Sequence, residues 1–443
     1  MSIKNIVHGY LPDERPSFGK LILFALQQIL VMFPATVTVA LLTGFHVSTT
    51  IFASGLATLC FIFITKGKIP LYYGSSFSYL AAIMAMTGAQ YGVPASDALI
   101  SQAQFGIIAS GLISIIVGLI VSRFGIQKIE KVLPATVTGS IAMVIGISLA
   151  GTAMSYSATN GVPGGPVIDN AWIAALVTLM ATIVFSVYLK GVWGQISILL
   201  GIIVGFIVSI PLGLPDFSKI WDGNLLAAPH FTLPTVNWDA VIAIAPIAIA
   251  TIPESTAHLF QLDIYVNDLA DKKGAPRRDI AGKLGLNLIG DGIGDIVSAL
   301  FGGPAGTNYG ENLSTMAITK NFSSWVLGAA AILAMAVSFI KPISAAVFSV
   351  PPAVVNGACI YLFGVIAAQG VAIMINRKVD MFSARNLAII ATIMIIGLGG
   401  YYGWADHMIP IFGAKLPSIA TAALFGIILN LLLSIGKREE VIE

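Results

Sequence analysis

Apolar runs long enough to cross a bilayer recur along nearly the whole chain, and nothing else constrains its fold so strongly. A spanning helix needs about 20 such residues, fewer where it is broken or re-entrant. By that measure the 443-residue sequence offers fourteen candidates. Seven lie near residues 20–43, 47–65, 69–87, 98–122, 131–152, 171–189 and 192–213. After a polar gap, seven more lie near 239–262, 278–302, 307–319, 323–341, 349–375, 386–402 and 416–435. With 57% hydrophobic and 10% charged residues, the chain has too few polar side chains to cover a water-soluble globule. A barrel of the outer-membrane kind would alternate apolar and polar positions, and these runs do not. The expected fold is an all-α polytopic membrane protein whose solvent is the lipid bilayer. A formal net charge of +2 gives no electrostatic reason to expect a nucleic-acid partner. Cys60 and Cys359 lack the spacing of a metal cluster and are too few for a disulfide framework, so no metal or cofactor is expected. The first run exceeds a signal-peptide core and is expected to remain in the mature protein.

Placing both ends in the cytoplasm puts twenty of the 23 basic residues on the inner side and only Lys219, Lys341 and Lys415 outside. Such a bias sets orientation and fits an even number of spans. The chain then divides into a cytoplasmic leader 1–19, a seven-span half 20–213, an extracytoplasmic loop 214–238, a second half 239–435 and a cytoplasmic tail 436–443. The halves share short matches. Val132-Leu-Pro-Ala-Thr-Val-Thr-Gly139 aligns with Val350-Pro-Pro-Ala-Val-Val-Asn-Gly357 at an offset of 218 residues, and Gly146 then aligns with Gly364. Gly74-Ser-Ser-Phe77 aligns with Gly306-Thr-Asn-Tyr309 in the third span of each half. Because each half has an odd number of spans, the two insert in opposite directions, an inverted repeat with its site between the halves.

The third and tenth runs are short and open with Tyr72-Tyr-Gly-Ser-Ser76 and Gly302-Gly-Pro-Ala-Gly306. They read as broken helices, because extended backbone at membrane depth is tolerated only against protein or a cavity, and a half-helix N-terminus offers free N–H groups there. The plainer alternative is a pair of connecting loops drawn into the bilayer. Ionisable residues inside the spans are Glu254, His258, Lys283, Asp291, Asp295 and Glu311. A charge at this depth costs about 2.5–3.5 kcal/mol on insertion scales, so each needs a partner, water or a proton. Glu254 and His258, at i and i+4, share one face of the eighth helix. They read as a proton or substrate handle or, equally, as a hydrogen bond locking helices. Glu311 falls at a half-helix N-terminus, where it either caps the helix or joins Glu254 in a cavity suited to a polar planar ligand. Asp291 and Asp295 form a polar seam with Lys283 and Asn287, Asp291 reaching closer to the centre. Phe77 and Tyr309 occupy matched positions suited to stacking. No Walker A, H-E-x-x-H or G-x-S-x-G pattern occurs, leaving transport driven by an ion gradient rather than nucleotide-driven pumping or hydrolysis.

Three segments, Lys66-Gly-Lys-Ile-Pro-Leu-Tyr-Tyr-Gly-Ser-Ser-Phe77, Pro253-Glu-Ser-Thr-Ala-His258 and Tyr309-Gly-Glu-Asn-Leu-Ser-Thr-Met-Ala-Ile-Thr319, resemble those of the nucleobase/ascorbate transporter family, in particular its bacterial uracil permeases. The resemblance covers nearly the whole chain. It implies fourteen segments in two inverted repeats, a core of spans 1–4 and 8–11, a gate of spans 5–7 and 12–14, and short strands in spans 3 and 10. It implies a bacterial inner-membrane protein importing uracil by proton symport, with a homodimer as its assembly. Glu254 and Glu311 would hold opposite edges of the base, Phe77 would pack on the ring, and backbone at Gly310 and Tyr309 would meet its carbonyl oxygens. His258 would join both glutamates in proton coupling, with Asp291, Asn312 and Gln28 behind them. Phe363 would contribute from the gate. Purine-transporting relatives usually carry Gln-Asn where this chain has Glu311-Asn312. A purine permease, or an anion transporter or channel of related fold, is the alternative. Gln28 and Ser255 stand where many relatives have histidine, and Lys320 stands where Arg is common.

Overall fold

A computed structural model describes residues 9–125, 131–162, 164–217, 224–404, 407–411 and 414–435. The tail 436–443, the first eight residues of the leader and residues 218–223 of the long loop lie outside the described residues. The first half contains α1 (Phe18–Thr43), α2 (Val47–Ile64), β1 (Tyr73–Ser75), α3 (Leu80–Thr87), α4 (Asp97–Phe124), α5 (Ala135–Thr159), α6 (Asp169–Tyr188) and α7 (Ser197–Ser209). The second contains α8 (Trp238–Lys273), interrupted by a 3-10 turn at Ala245–Ile247, then α9 (Leu284–Leu300), β2 (Gly306–Asn308), α10 (Gly310–Thr319), α11 (Ser324–Val337), α12 (Pro352–Asn376), α13 (Ala384–Gly403), β3 (Met408–Ile411), β4 (Ala414–Pro417) and α14 (Ser418–Leu432).

Among the described residues eight helices are long and apolar enough to cross a membrane: α1, α2, α4, α5, α6, α8, α12 and α13. Segments containing α3, α7, α11 and α14 are apolar but shorter, and α9 and α10 fall in neither group. The last two carry Asp291, Asp295 and Glu311, whereas Glu254 lies on the spanning α8. The chain is a multi-pass membrane protein.

The matched motif near residues 132 and 350 marks two helix starts. Pro134 immediately precedes α5, and Pro351 and Pro352 open α12, positions where a missing N–H costs nothing. Its second glycines are not equivalent. A Cβ on Gly146 would lie 2.6 Å from the Phe363 carbonyl, whereas one on Gly364 would meet nothing within 4 Å. Small residues allow the closest crossings. A Cβ on Gly111 would sit 2.4 Å from the Gly292 carbonyl, and one on Gly118 2.7 Å from that of Gly285, so α4 and α9 touch backbone to backbone.

Helix pairing follows a reciprocal pattern. As α4 packs on α9, so α11 packs on α2; as α6 packs on α7, so α13 packs on α14; α12 meets α6 as α5 meets α13, and α5 crosses α12. Two elements lie outside the expected helices: a helix at Lys341–Ser349, and a hairpin of β3 and β4 with Met408 opposite Pro417 and Ile411 opposite Ala414. Each strand has four residues, too few to register against the surrounding apolar periodicity.

Candidate functional site

The extended pieces of the two broken runs meet. β1 and β2 pair antiparallel, Tyr73 opposite Asn308, Gly74 opposite Thr307 and Ser75 opposite Gly306. The ladder continues through Tyr309 N–H to the Tyr72 carbonyl (2.9 Å) and Ser76 N–H to the Ala305 carbonyl (3.0 Å). Two strands cannot satisfy their own outer edges, and an unmet backbone group in a bilayer costs several kcal/mol. Neighbouring helices supply the partners. On α2, Ser54 Oγ donates to the Tyr73 carbonyl (2.8 Å) and Thr58 Oγ1 accepts from Tyr73 N–H (3.0 Å). On α9, Asp295 accepts from Gly306 N–H (2.8 Å) and from the Tyr73 hydroxyl (2.5 Å). Asp295 thus belongs to the seam expected of it, behind the strands.

Gly74 fixes how closely the strands approach. A Cβ there would lie 2.3 Å from the Tyr309 ring. That ring cannot yield easily, because its hydroxyl donates to the Ser75 carbonyl (2.9 Å) and lies 3.1 Å from Thr36 Oγ1. Gly74→Ala is expected to destabilise the protein by about 1–3 kcal/mol, the usual penalty of overpacking, and to lower its melting temperature in detergent. Melting at the parent temperature would mean that Tyr309 can swing aside.

Each strand feeds into a short helical segment. β1 is followed by the 3-10 turn Phe77–Tyr79 and α3, with Ser76 Oγ accepting from Ser78 N–H (3.2 Å). β2 is followed by α10, in which Gly310 and Glu311 are the first two residues. The Glu311 carboxyl lies within hydrogen-bonding reach of its own backbone N–H, the N-terminal position expected of it. Glu254 comes from α8, near enough to feel the charge of Glu311 and within reach of the Ser78 hydroxyl. It therefore interacts with the first turns that follow both strands. One turn further, His258 lies within reach of the Asn308 backbone. A Cβ on Gly310 would come 2.7 Å from His258 Nε2, while Nδ1 is buried without a partner. Glu254 and His258 thus share a helix face but take different partners.

Asn287, Asp291 and Asp295, four residues apart on α9, are all buried. Asn287 Nδ2 donates to Ser255 Oγ (2.7 Å), the Ser255 hydroxyl donates to Asp291, and Asn308 Nδ2 reaches both Ser255 Oγ and Asn287 Oδ1 at 3.2 Å. Ser255 and Asn308 are partners that the sequence reading missed; the signal was a hydroxyl beside Glu254 facing a four-residue polar repeat. Asp291 reaches α8 at Ser255, one residue from Glu254. Asn312 Nδ2 donates to Gln28 Oε1 (2.8 Å) and to the Gln28 carbonyl (3.0 Å), tying α10 to α1. Lys283 requires a correction. It ends a 3-10 turn before α9, pairs with Asp279 (3.5 Å) and lines a broad basic cavity with Arg277 and Arg278. Its long stem carries the ammonium away from the seam.

The Phe77 ring lies edge-to-face with Phe363 of α12, centroids 6.2 Å apart. Glu311 lines a cavity of about 20 Å³ with Thr38 of α1, Leu199 of α7 and Cys359 of α12. Among the described residues none of Glu254, Asp291, Asp295 and Glu311 is in an ion pair. Glu254 and Glu311, without a cation and with Phe77 and Phe363 nearby, can hold a flat polar ligand and exchange protons.

A family model described as "Permease family" matches residues 19–405. The uracil permease of Bacillus caldolyticus is 38% identical over 428 residues, covering 95% of this chain and 94% of that protein. The uracil permease of Escherichia coli (strain K12) is 33% identical over 434 residues, covering 97% and 96%. Among solved structures, the transmembrane domain of the cyanobacterial bicarbonate transporter BicA aligns with a TM-score of 0.60 at 15% identity, covering 94% of this chain and 97% of that one. The murine anion transporter Slc26a9, in its inward-facing state, aligns with a TM-score of 0.65 at 12% identity, covering 95% and 69%. At such identities the structural matches establish a shared fold.

Proposed function

Because the chain belongs to the permease family, transporters rather than enzymes, we propose that it imports uracil by proton symport across the bacterial inner membrane. The observation that carries this reading is the position of Glu254, within reach of the Ser78 hydroxyl after β1 and near enough to Glu311 of α10 to feel its charge. Two carboxyl groups can accept from the ring N–H donors of uracil on opposite edges. The backbone N–H of Gly310 serves a carbonyl oxygen, that of Tyr309 being committed to the Tyr72 carbonyl (2.9 Å), and Phe77 covers the ring. Gln28 and Asn312 hold α10 in place from α1, while Asp291 holds α8 through Ser255. His258, against Gly310, relays protons to this site with the two glutamates. Uracil binding and protonation neutralise the acidic cluster, so the loaded site crosses the bilayer more readily than the empty one.

The moving parts in this reading are a core of α1–α4 and α8–α11 and a gate of α5–α7 and α12–α14, alternating access about the cavity at Glu311. The reciprocal helix pairing supports fourteen crossings in two inverted seven-span repeats, 20–213 and 239–435. The basic-residue bias supports cytoplasmic termini. A homodimer completes the reading, on the strength of the family resemblance.

Uptake of radiolabelled uracil into cells lacking their own uracil permease tests the proposal. Saturable uptake abolished by a protonophore and by a hundredfold excess of unlabelled uracil, but not of xanthine, is expected. Competition by xanthine equal to that by uracil would favour a purine permease. No uptake despite verified membrane expression would overturn the substrate assignment and leave the fold intact.

A further inference from the structure

We propose that His46, Asp97 and His230 form a binding site for a divalent transition-metal cation of the zinc class, at the end of the molecule that the orientation above places outside the cell. His46 immediately precedes α2, Asp97 is the first residue of α4, and His230 lies in the segment leading to α8. One ligand atom from each lies within 4.8 Å of the other two. His230 Nε2 is 3.0 Å from both Asp97 carboxylate oxygens, His46 Nε2 is 3.7 Å from Asp97 Oδ1, and the imidazole centroids are 4.4 Å apart. A tetrahedral zinc ion with bonds of about 2.0–2.1 Å needs donor atoms about 3.3 Å apart. Small side-chain rotations therefore bring all three donors onto one ion.

One further observation points to a ligand. His46 Nε2 is buried yet has no hydrogen-bond partner, an atom that a cation would satisfy. The backbone carrying the ligands is also fastened. Thr49 Oγ1 donates to the His230 carbonyl (2.7 Å) and Thr50 Oγ1 to the His46 carbonyl (2.9 Å). Two residues beyond His230, Thr232 Oγ1 donates to Gln104 Oε1 (2.9 Å) while Gln104 Nε2 donates to the Thr232 carbonyl (2.9 Å). These bonds fix the backbone from which His46 and His230 project. The Asp97 and His230 side chains are 60% and 53% exposed, which leaves a fourth position for water and a direct path for the ion. Two imidazoles and one carboxylate suit zinc better than magnesium or calcium, which favour all-oxygen sets. The ligands are 51 and 133 residues apart along the chain, so no short motif announces them.

The full chain, purified in detergent with a histidine-free affinity tag, is titrated with zinc chloride by calorimetry at pH 7.5, with magnesium chloride as control. One zinc ion per chain and no magnesium binding are expected. His46→Ala, His230→Ala and Asp97→Asn should each weaken zinc binding by roughly tenfold or more, whereas His407→Ala should leave it unchanged. Thermal melting of each variant without metal separates lost binding from lost folding, and zinc should raise the melting temperature of the parent alone. Parent protein with no saturable zinc binding, or folded His46→Ala and His230→Ala variants that bind as tightly as the parent, would overturn the proposal. These outcomes do not depend on whether uracil is the substrate.

Discussion

Glu254→Gln is expected to bring concentrative uracil uptake down to the background of permease-deficient cells, a loss of at least roughly a hundredfold, or about 2.7 kcal/mol. Gln keeps the length and planarity of the side chain and can still engage the Ser78 hydroxyl that Glu254 reaches. It removes a proton that can come and go. Beside Glu311, an amide at this position lowers the charge of the empty site permanently, so protonation no longer separates the loaded from the unloaded form. The variant should therefore lose sensitivity to a protonophore together with accumulation. Initial uptake rates with and without protonophore, on membranes matched for protein, check this. Accumulation by Glu254→Gln at the parent level, still abolished by protonophore, would remove Glu254 from the coupling step.

Glu311→Gln carries the second large effect. The second residue of α10 presents its carboxylate beside free helix N–H groups, where negative charge is favoured. A carboxylate accepts through both oxygens, whereas a carboxamide turns one acceptor into a donor. One uracil N–H then faces N–H, and a buried donor without a partner costs about 1–3 kcal/mol. The concentration of uracil giving half-maximal uptake should rise roughly ten- to a hundredfold, and xanthine should begin to compete. Because Asn312 remains bonded to Gln28 (2.8 Å), α10 should keep its position and the variant its thermal stability. An unchanged half-saturation concentration would mean that Glu311 caps the helix and does not touch the base.

Much of the fold is legible in the sequence because a bilayer imposes a simple rule, a minimum apolar length per crossing. The breaks in the third and tenth runs are legible for a related reason. Glycine and proline in short apolar segments have few explanations at membrane depth, and Gly74 and Gly306 do lie on the paired strands. The pairing itself is not legible. Neither strand records that Ser54, Thr58 and Asp295 complete its outer edges, since those bonds join residues distant in sequence. The site was half visible. Glu254, Glu311 and Asp291 stand out because charge at depth is costly. Ser255 and Asn308, which join α8 to α9 and β2, are ordinary polar residues until the fold brings them together. Lys283 was misjudged for a geometric reason: a turn just before α9 lets its ammonium reach Asp279 and leave the seam to the carboxyl groups. The cluster at His46 was invisible because its three residues belong to separate loops and helix ends.

The most direct test of the central claim is whether uracil carries protons with it. Purified protein is reconstituted into vesicles enclosing a pH-sensitive dye, an inward proton gradient is imposed, and uracil is added outside. Uracil should accelerate acidification of the lumen saturably, xanthine should not, and Glu254→Gln vesicles should respond to neither. Uracil entry into the same vesicles without any change in lumenal pH would contradict proton symport.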